Sequence, residues 1–179
     1  LFIISNKLKK GSFLIGTSMT NKGLEVALSN QNISLLRADV GDKYVVELMK
    51  EKGATLGGET SGHIIDMDFS TTGDGVLTAL NIASIVKEKG LPLSKLISFK
   101  HYPQIIINVD VIDKYRLLNS DLLSAKILEV QKVFGNNGRV LVRASGTENK
   151  IRIMCEHKTK KEAEKYAQEI ELLIKEINK

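Results

Sequence analysis

The sequence predicts an α/β unit with a mixed sheet, followed by a smaller α+β unit in which an antiparallel sheet is packed with helices. Three observations lead there. Over the first hundred residues, short apolar runs of strand length alternate with helical stretches, the rhythm of α/β folds. Near Ser98 to Pro103 this rhythm changes, and Tyr102, standing before a proline, is biased toward an extended backbone, which makes that stretch the best boundary. The last stretch carries Ala163, Tyr166, Ala167, Ile170, Leu173, Ile174 and Ile177 at the 3.6-residue period, a face able to cover one side of a sheet. A chain of 179 residues can form one large or two small domains, and we read two, 1–99 and 100–179.

Taken in order, Ser12 to Gly16 reads as a buried strand and Asn21 to Ser29 as a short helix offering Leu24, Val26 and Leu28 for packing. Ile33 to Arg37 is a second strand. Asp42 is placed to cap a helix through Lys52, with Tyr44, Val45, Leu48 and Met49 on one apolar face and Gly53 as its stop. Gly57-Gly58 breaks the chain, and Glu59 to Phe69 reads as extended. Asp74 starts a long helix from Gly75 to Lys89, closed by Gly90 and Pro92, and Leu91 to Phe99 finishes the unit. Beyond the boundary come a strand at Gln104 to Val111, a helix at Asn119 to Phe134, strands at Gly138 to Arg143 and Lys150 to Glu156, and a helix at Lys160 to Asn178.

Composition excludes several classes. With 42% hydrophobic and 26% charged residues, the chain is an ordinary folding sequence rather than a disordered one. No apolar run approaches the roughly 18 residues of a membrane span, and Leu1 to Ile4 is too short for a signal-peptide core. We expect a cytoplasmic protein without membrane contact. The single cysteine, Cys155, has no internal disulfide partner, which suits a reducing compartment. A net charge of +5 suits either nucleic acid or a small phosphorylated ligand. Aromatics make up only 5% and tryptophan is absent, so base-stacking platforms are scarce and nucleic acid is disfavoured. The chain opens on Leu within an amphipathic stretch, which reads as a piece of something longer.

Two loops could carry chemistry. In Gly57-Gly58-Glu59-Thr60-Ser61-Gly62-His63, an extended chain would turn Glu59, Ser61 and His63 to one side, since side chains alternate along a strand. A carboxylate, a hydroxyl and an imidazole in a row can bind neighbouring hydroxyls of a sugar ring, with His63 free to donate or take a proton. The plain alternative is an exposed hairpin with incidental polar residues. A nucleophile system of Ser61, His63 and Asp66 is disfavoured, because same-face neighbours on a strand sit roughly 6.5 to 7 Å apart. Asp66 and Asp68 alone make a poor metal pair, and Asp74 is better read as a helix cap than as a ligand.

The second loop, Arg143-Ala144-Ser145-Gly146-Thr147-Glu148, lies between two strands. A phosphate dianion wants a guanidinium fork, hydroxyl donors and converging backbone N–H groups, and this loop supplies all three. The alternative is a hairpin turn in which Arg143 pairs with Glu148. No Walker or Rossmann glycine pattern accompanies it, so phosphate binding here would not be that of a nucleotide fold.

Taken together, Gly58 to His63, Thr71-Thr72-Gly73-Asp74-Gly75 and Arg139 to Glu148, with Gly16 to Glu25 and Val40 to Val45 upstream, resemble the bacterial phosphoglucosamine mutase family of the hexose-phosphate mutase superfamily. The resemblance runs over essentially the whole chain. It implies most of the third and the fourth of four domains, with sugar binding by Glu59, Ser61 and His63 and phosphate binding by Arg143, Ser145, Gly146 and Thr147. It also implies that the serine phosphorylated in the active enzyme and the acidic loop holding magnesium lie in the first and second domains. The partners implied are glucosamine phosphate and bisphosphate and the N-terminal domains of the same enzyme. The chain by itself would then bind without turnover, and no residue of it takes an assigned catalytic role. It departs from the family pattern at Asn149-Lys150, where proline and an apolar residue are usual, which points to a less rigid loop. Lys43 stands where arginine is common. The rival readings are a phosphomannomutase or phosphoglucomutase relative, and a phosphosugar- or nucleic-acid-binding module without catalysis.

Overall fold

Phe2–Ser5 (α1) is a single apolar turn with Phe2, Ile3 and Ile4 buried, in a computed structural model that describes all residues from Leu1 to Lys179. Phe13–Thr17 (β1) follows, buried along all but its first residue as a central strand should be. Lys22–Ser29 (α2) starts where the Asn21 side chain accepts from the Gly23 N–H at 2.9 Å, and it buries Leu24 and Leu28, one turn apart. After Ser34–Ala38 (β2) comes Asp42–Lys52 (α3). Its N-cap is Gly41 rather than Asp42, whose carboxylate accepts only from the N–H of the adjacent Lys43. The inward face is Val45 and Met49, one turn apart, and Tyr44 is rotated off it into solvent.

The stretch from Glu59 to Phe69 is not one extended segment. It is part of a hairpin, Leu56–Gly58 (β3) turning into Ile64–Asp66 (β4), so the two glycines lie inside a strand instead of breaking the chain. Packing demands them. A Cβ on Gly57 would stand 2.5 Å from the Met49 sulfur and 2.9 Å from a Val45 methyl, both on the buried face of α3. A Cβ on Gly58 would stand 2.5 Å from the His63 carbonyl oxygen across the hairpin. The sheet order is β2-β1-β3-β4, with β1 parallel to both neighbours and β4 antiparallel to β3.

Gly75–Lys89 (α4) starts at Asp74, whose carboxylate accepts from the Leu77 N–H at 2.9 Å, and ends at a left-handed Gly90. Leu93–Leu96 (α5) is one turn, and Phe99 returns to pack its ring on Phe2. Successive strand residues point to opposite faces, so Leu14 joins a core with Leu24, Leu28, Leu56 and Ile85, while Ile15 joins Val45, Met49 and Ile65. These residues form one compact unit, Leu1–Lys100, and a second unit spans His101–Lys179.

In the second unit, Gln104–Asp110 (β5), Gly138–Ala144 (β6) and Lys150–His157 (β7) form an antiparallel sheet in the order β5-β7-β6. The helix expected from Asn119 to Phe134 forms, starting two residues later, and another helix precedes it. Lys114–Leu118 (α6) is an unforeseen short helix capped by Asp113, and Asp121–Phe134 (α7) begins after the extended Ser120. Lys160–Ile177 (α8) buries Ala163, Tyr166, Ala167, Ile170 and Ile174 against Ile151, Ile153 and Cys155, as its periodicity foretells. Burial pushes the Cys155 thiol up to about 12, so it stays protonated and unreactive at neutral pH. No helix is long and apolar enough to cross a membrane.

One ion-pair network fastens α2 to the sheet: the Arg37 guanidinium of β2 pairs with Glu25 of α2 and donates to the Thr20 carbonyl at 3.2 Å, and Lys22 also reaches Glu25. Burial alone would raise the Glu25 carboxyl, but the hydrogen bond from Lys22 and the charge and hydrogen bond of Arg37 outweigh it and hold the group below its ordinary 4.5. A carboxyl depressed in the folded chain adds stability above its unfolded value, and that contribution is lost as pH falls through the folded value. Urea denaturation at about pH 6 and about pH 3 should therefore show a larger loss of stability for the unaltered chain than for Glu25→Gln. Equal losses would mean that the network contributes nothing to folding.

Candidate functional site

At the C-terminal edge of the parallel strands, three loops leave β1, β2 and β3 together, the edge where open α/β sheets usually bind ligands. The loop after β1 is tightly wound. The Thr17 N–H donates to the Thr20 hydroxyl at 2.8 Å, and Ser18 N–H donates to the Ala38 carbonyl at the end of β2. The loops after β2 and β3 meet directly: one oxygen of the Glu59 carboxylate accepts from the Gly41 N–H at 3.2 Å, and the other lies 3.1 Å from His63 Nδ1.

Glu59, Ser61 and His63 do not form the row that strand alternation suggests. They occupy a tight turn, closed by Glu59 N–H donating to the His63 carbonyl and Gly62 N–H to the Glu59 carbonyl. The turn folds the imidazole back onto the carboxylate and leaves Ser61 exposed. The Glu59 side chain is only 9% exposed, whereas that of His63 is 59% exposed, so Glu59 is a seated acceptor and His63 an exposed ring leaning on it. Asp66 belongs to another environment. It pairs across the hairpin with Leu56, away from the turn, and its carboxylate accepts from Asn81 at 3.2 Å and from the Asp68 N–H at 3.3 Å. That disposes of a Ser61, His63 and Asp66 triad. Lys43 lines a shallow groove with Asp42, Val46, Ile65, Thr72 and Gly73, so the Thr71 to Gly75 loop and the Val40 to Lys43 loop face the same recess.

In the second unit, the face of the sheet turned away from α8 carries cross-strand rows. Gln104, Glu156 and Arg139 form the first, Ile106, Met154 and Leu141 the second, and Asn108, Arg152 and Arg143 the third. Two guanidinium groups thus stand side by side at the mouth of the β6–β7 loop. Arg143 makes no ion pair with Glu148, which binds Lys150 at 2.8 Å and sits 3.9 Å from Arg152. The hydrogen bond from Lys150, with that residue's charge and that of Arg152, holds the Glu148 carboxyl below the usual range. The alternative of a turn closed by an Arg143–Glu148 pair is therefore not what forms.

The loop itself is rich in unused donors. Ser145 is 1% exposed and its hydroxyl has no hydrogen-bond partner, nor has the buried Nε of Arg152. Ser145 N–H is taken by the Lys150 carbonyl at 2.8 Å, but the N–H groups of Gly146, Thr147, Glu148 and Asn149 meet no acceptor in the chain. An unpaired guanidinium, a buried hydroxyl and consecutive free amides are the kinds of donor that an oxyanion can take up. Arg152 was missed in the sequence, although it was findable: strands at Gly138 to Arg143 and Lys150 to Glu156 joined by a short loop place Arg152 opposite Arg143. For metals the outcome is different. No three His, Cys, Asp or Glu side chains gather anywhere, and Asp66 is already engaged, so the residues present do not fit magnesium.

Comparison with known proteins bears on the family and the fold. The family model described as phosphoglucomutase/phosphomannomutase, alpha/beta/alpha domain III, matches residues 1–102, and that of the C-terminal domain matches residues 106–173. The chain is 47% identical to the phosphoglucosamine mutase of Geobacillus thermodenitrificans over 162 residues, which is 90% of this chain and 36% of that protein. It is 42% identical to the phosphoglucosamine mutase of Bacillus subtilis over 176 residues, 95% of this chain and 39% of that one. It thus spans little more than a third of the length of these relatives. Among solved structures, an N-acetylphosphoglucosamine mutase of Aspergillus fumigatus superposes with a TM-score of 0.81 at 18% identity, over 98% of this chain and 40% of that one. A fold of two units, matched in order by the third and the C-terminal domain models and supported by identities above 40%, leaves one assignment: the chain belongs to the phosphoglucomutase/phosphomannomutase family of phosphohexomutases.

Proposed function

We propose that this chain is the substrate-holding part of a cytoplasmic phosphoglucosamine mutase that interconverts glucosamine 6-phosphate and glucosamine 1-phosphate through a phosphoserine and a bisphosphate intermediate. The observation that carries this reading is the Ser145 to Asn149 loop, where an unpaired Arg143, a buried unpartnered hydroxyl and four open amides stand together. Sugar phosphates are ligands named for fold relatives, GlcNAc-6P with magnesium in one Aspergillus fumigatus complex and glucose 1,6-bisphosphate in another. A phosphorylated sugar is therefore the ligand class that best suits the loop.

In such a reaction the bisphosphate must present first one end and then the other to the reacting group. The grip on the idle phosphate has to accept either end, so it should touch phosphate oxygens and little else. Arg143, Arg152, Ser145 and the loop amides meet that requirement, because all are donors and none is shaped to a ring carbon. Glu59 supplies the complementary contact. Its carboxylate has acceptor capacity beyond Gly41 and His63, enough to receive ring hydroxyls, and Ser61 stands exposed beside it. Positioning is what these residues contribute. The phosphorylated serine and the magnesium implied by the family resemblance are assigned to the N-terminal domains, and no step is attributed to a metal on this chain.

The 179-residue chain alone should accordingly show no conversion of glucosamine 6-phosphate above a mock preparation; clear turnover by the purified chain would overturn this division of labour. Inorganic phosphate should shift the amide signals of Ser145 to Thr147 with roughly millimolar affinity, since Arg143 and one or two weaker donors give on the order of 4 kcal/mol. Arg143→Ala should abolish those shifts and leave α8 unmoved. Shifts that persist in the variant would make the loop an ordinary turn.

Glu59 has two duties that substitution can separate. In the complete enzyme, Glu59→Ala should lower catalytic efficiency strongly and also cost about 1 kcal/mol of stability, because the Gly41 N–H loses its acceptor. Glu59→Gln keeps an acceptor for Gly41, and should recover the stability but not the efficiency. Recovery of both would show that only the contact to Gly41 matters.

A further inference from the structure

We infer that Lys114 is a positioning residue that aims the amides of the β6–β7 loop, a role that rests on reading this loop as the phosphate site. Lys114 lies outside the loop, in the first turn of α6, where Asp113 accepts from the N–H groups of Tyr115 and Arg116 at 3.0 Å each and so fixes the start of the helix. From there its Nζ donates to the Ser145 carbonyl at 2.8 Å and to the Glu148 carbonyl at 3.1 Å. Just before it, the Val111 N–H donates to the Asn149 carbonyl at 2.9 Å. Three loop carbonyls are thus drawn to one side, toward Val111 and the start of α6.

The consequence follows from peptide geometry. No peptide bond in the chain is cis, and in a trans peptide the N–H points opposite to the C=O of the same plane. Holding the Ser145 carbonyl toward Lys114 turns the Gly146 N–H away from it, and holding the Glu148 carbonyl does the same to Asn149. These amides belong to the four that find no acceptor in the chain. The ammonium thus acts on the hidden side of the loop, fixing the direction of donors on the open side without itself touching the anion. Gly146 makes this necessary. A glycine in an exposed turn rotates freely, and a loop that adopts the receptive orientation only part of the time binds with an affinity reduced by that fraction.

The test uses the 179-residue chain, inorganic phosphate as probe and ¹⁵N NMR as readout. In Lys114→Met, the order parameters of Gly146 to Asn149 should fall and their amide shifts should move before any phosphate is added. Phosphate affinity should weaken about five- to tenfold, as for a loop receptive a tenth to a fifth of the time. Lys114→Arg, which keeps a cation able to bridge two carbonyls, should recover most of both. Should the methionine variant not fold, Lys114→Gln, which keeps a shorter, uncharged amide donor, should show a smaller change in the same direction. Weaker binding with an unchanged, equally ordered phosphate-free loop would reduce Lys114 to a nearby charge and overturn the proposal. The two readings fail differently. Absence of phosphate shifts in the unaltered chain overturns the site and the positioning role together, whereas normal binding and an unchanged loop in Lys114→Met overturns the positioning role alone.

Discussion

A backbone group that the protein takes up fixes the direction of its neighbour, and the polar ends of both sheets depend on that constraint. In the first unit the Gly41 N–H is bound by the Glu59 carboxylate, which locks the loop after β2 to the turn after β3. That contact exists only because Gly57 lets α3 lie close on β3 and Gly58 lets the hairpin close over the His63 carbonyl. In the second unit, carbonyls at 145, 148 and 149 are bound on one side of the loop, which leaves its amides on the other. In each case glycine supplies freedom and a charged side chain removes it again.

The donors left over are not equal in cost. Amides at Gly146 to Asn149 lie in an exposed stretch where water can satisfy them, so leaving them open costs little. The Ser145 hydroxyl is different. Buried at 1% exposure without a partner, it carries a penalty of about 1 to 3 kcal/mol. Arg143 and Arg152, directly opposed across β6 and β7, add like-charge repulsion that Glu148, 3.9 Å from Arg152, partly relieves. The core formed by Leu123, Ile151, Ile153, Ile170 and Ile174 absorbs these costs. Local rules are broken together at one place in an otherwise consistent unit, which is consistent with the phosphate site proposed above.

The parts of the fold that were legible in the sequence are those set by local chemistry. Asp74 starting α4, Gly53 and Gly90 ending their helices, and the buried stripe of α8 all follow from caps and periodicity acting within a few residues. What was not legible depended on distant partners. Gly57-Gly58 reads as a break because its local propensity is poor, and only the sulfur of Met49 and a methyl of Val45 explain why a strand needs it. Without that, Glu59 to His63 reads as a strand, whereas in the fold it is a tight turn that sets Glu59 and His63 against each other. Lys114 was invisible for a similar reason. It sits 31 residues from Ser145 in sequence and on a helix too short to announce itself. Arg152 could have been found by register, because the two strands that carry the arginines were both foreseen.

The departure at Asn149-Lys150 changes meaning in this light. Proline there would have restricted the chain in its unfolded and alternative conformations, and its replacement suggested a looser loop. The folded structure restrains these residues by other means: Val111 holds the Asn149 carbonyl, and Lys150 closes on Glu148 at 2.8 Å and reaches Asp110 at 3.8 Å. Proline also has no N–H. Asparagine at this position therefore exchanges covalent restriction for one more amide donor, and Lys114, by binding the preceding carbonyl, determines where that donor points. Rigidity supplied by the protein around a loop orients the groups that remain; a ring within the loop would have removed one of them.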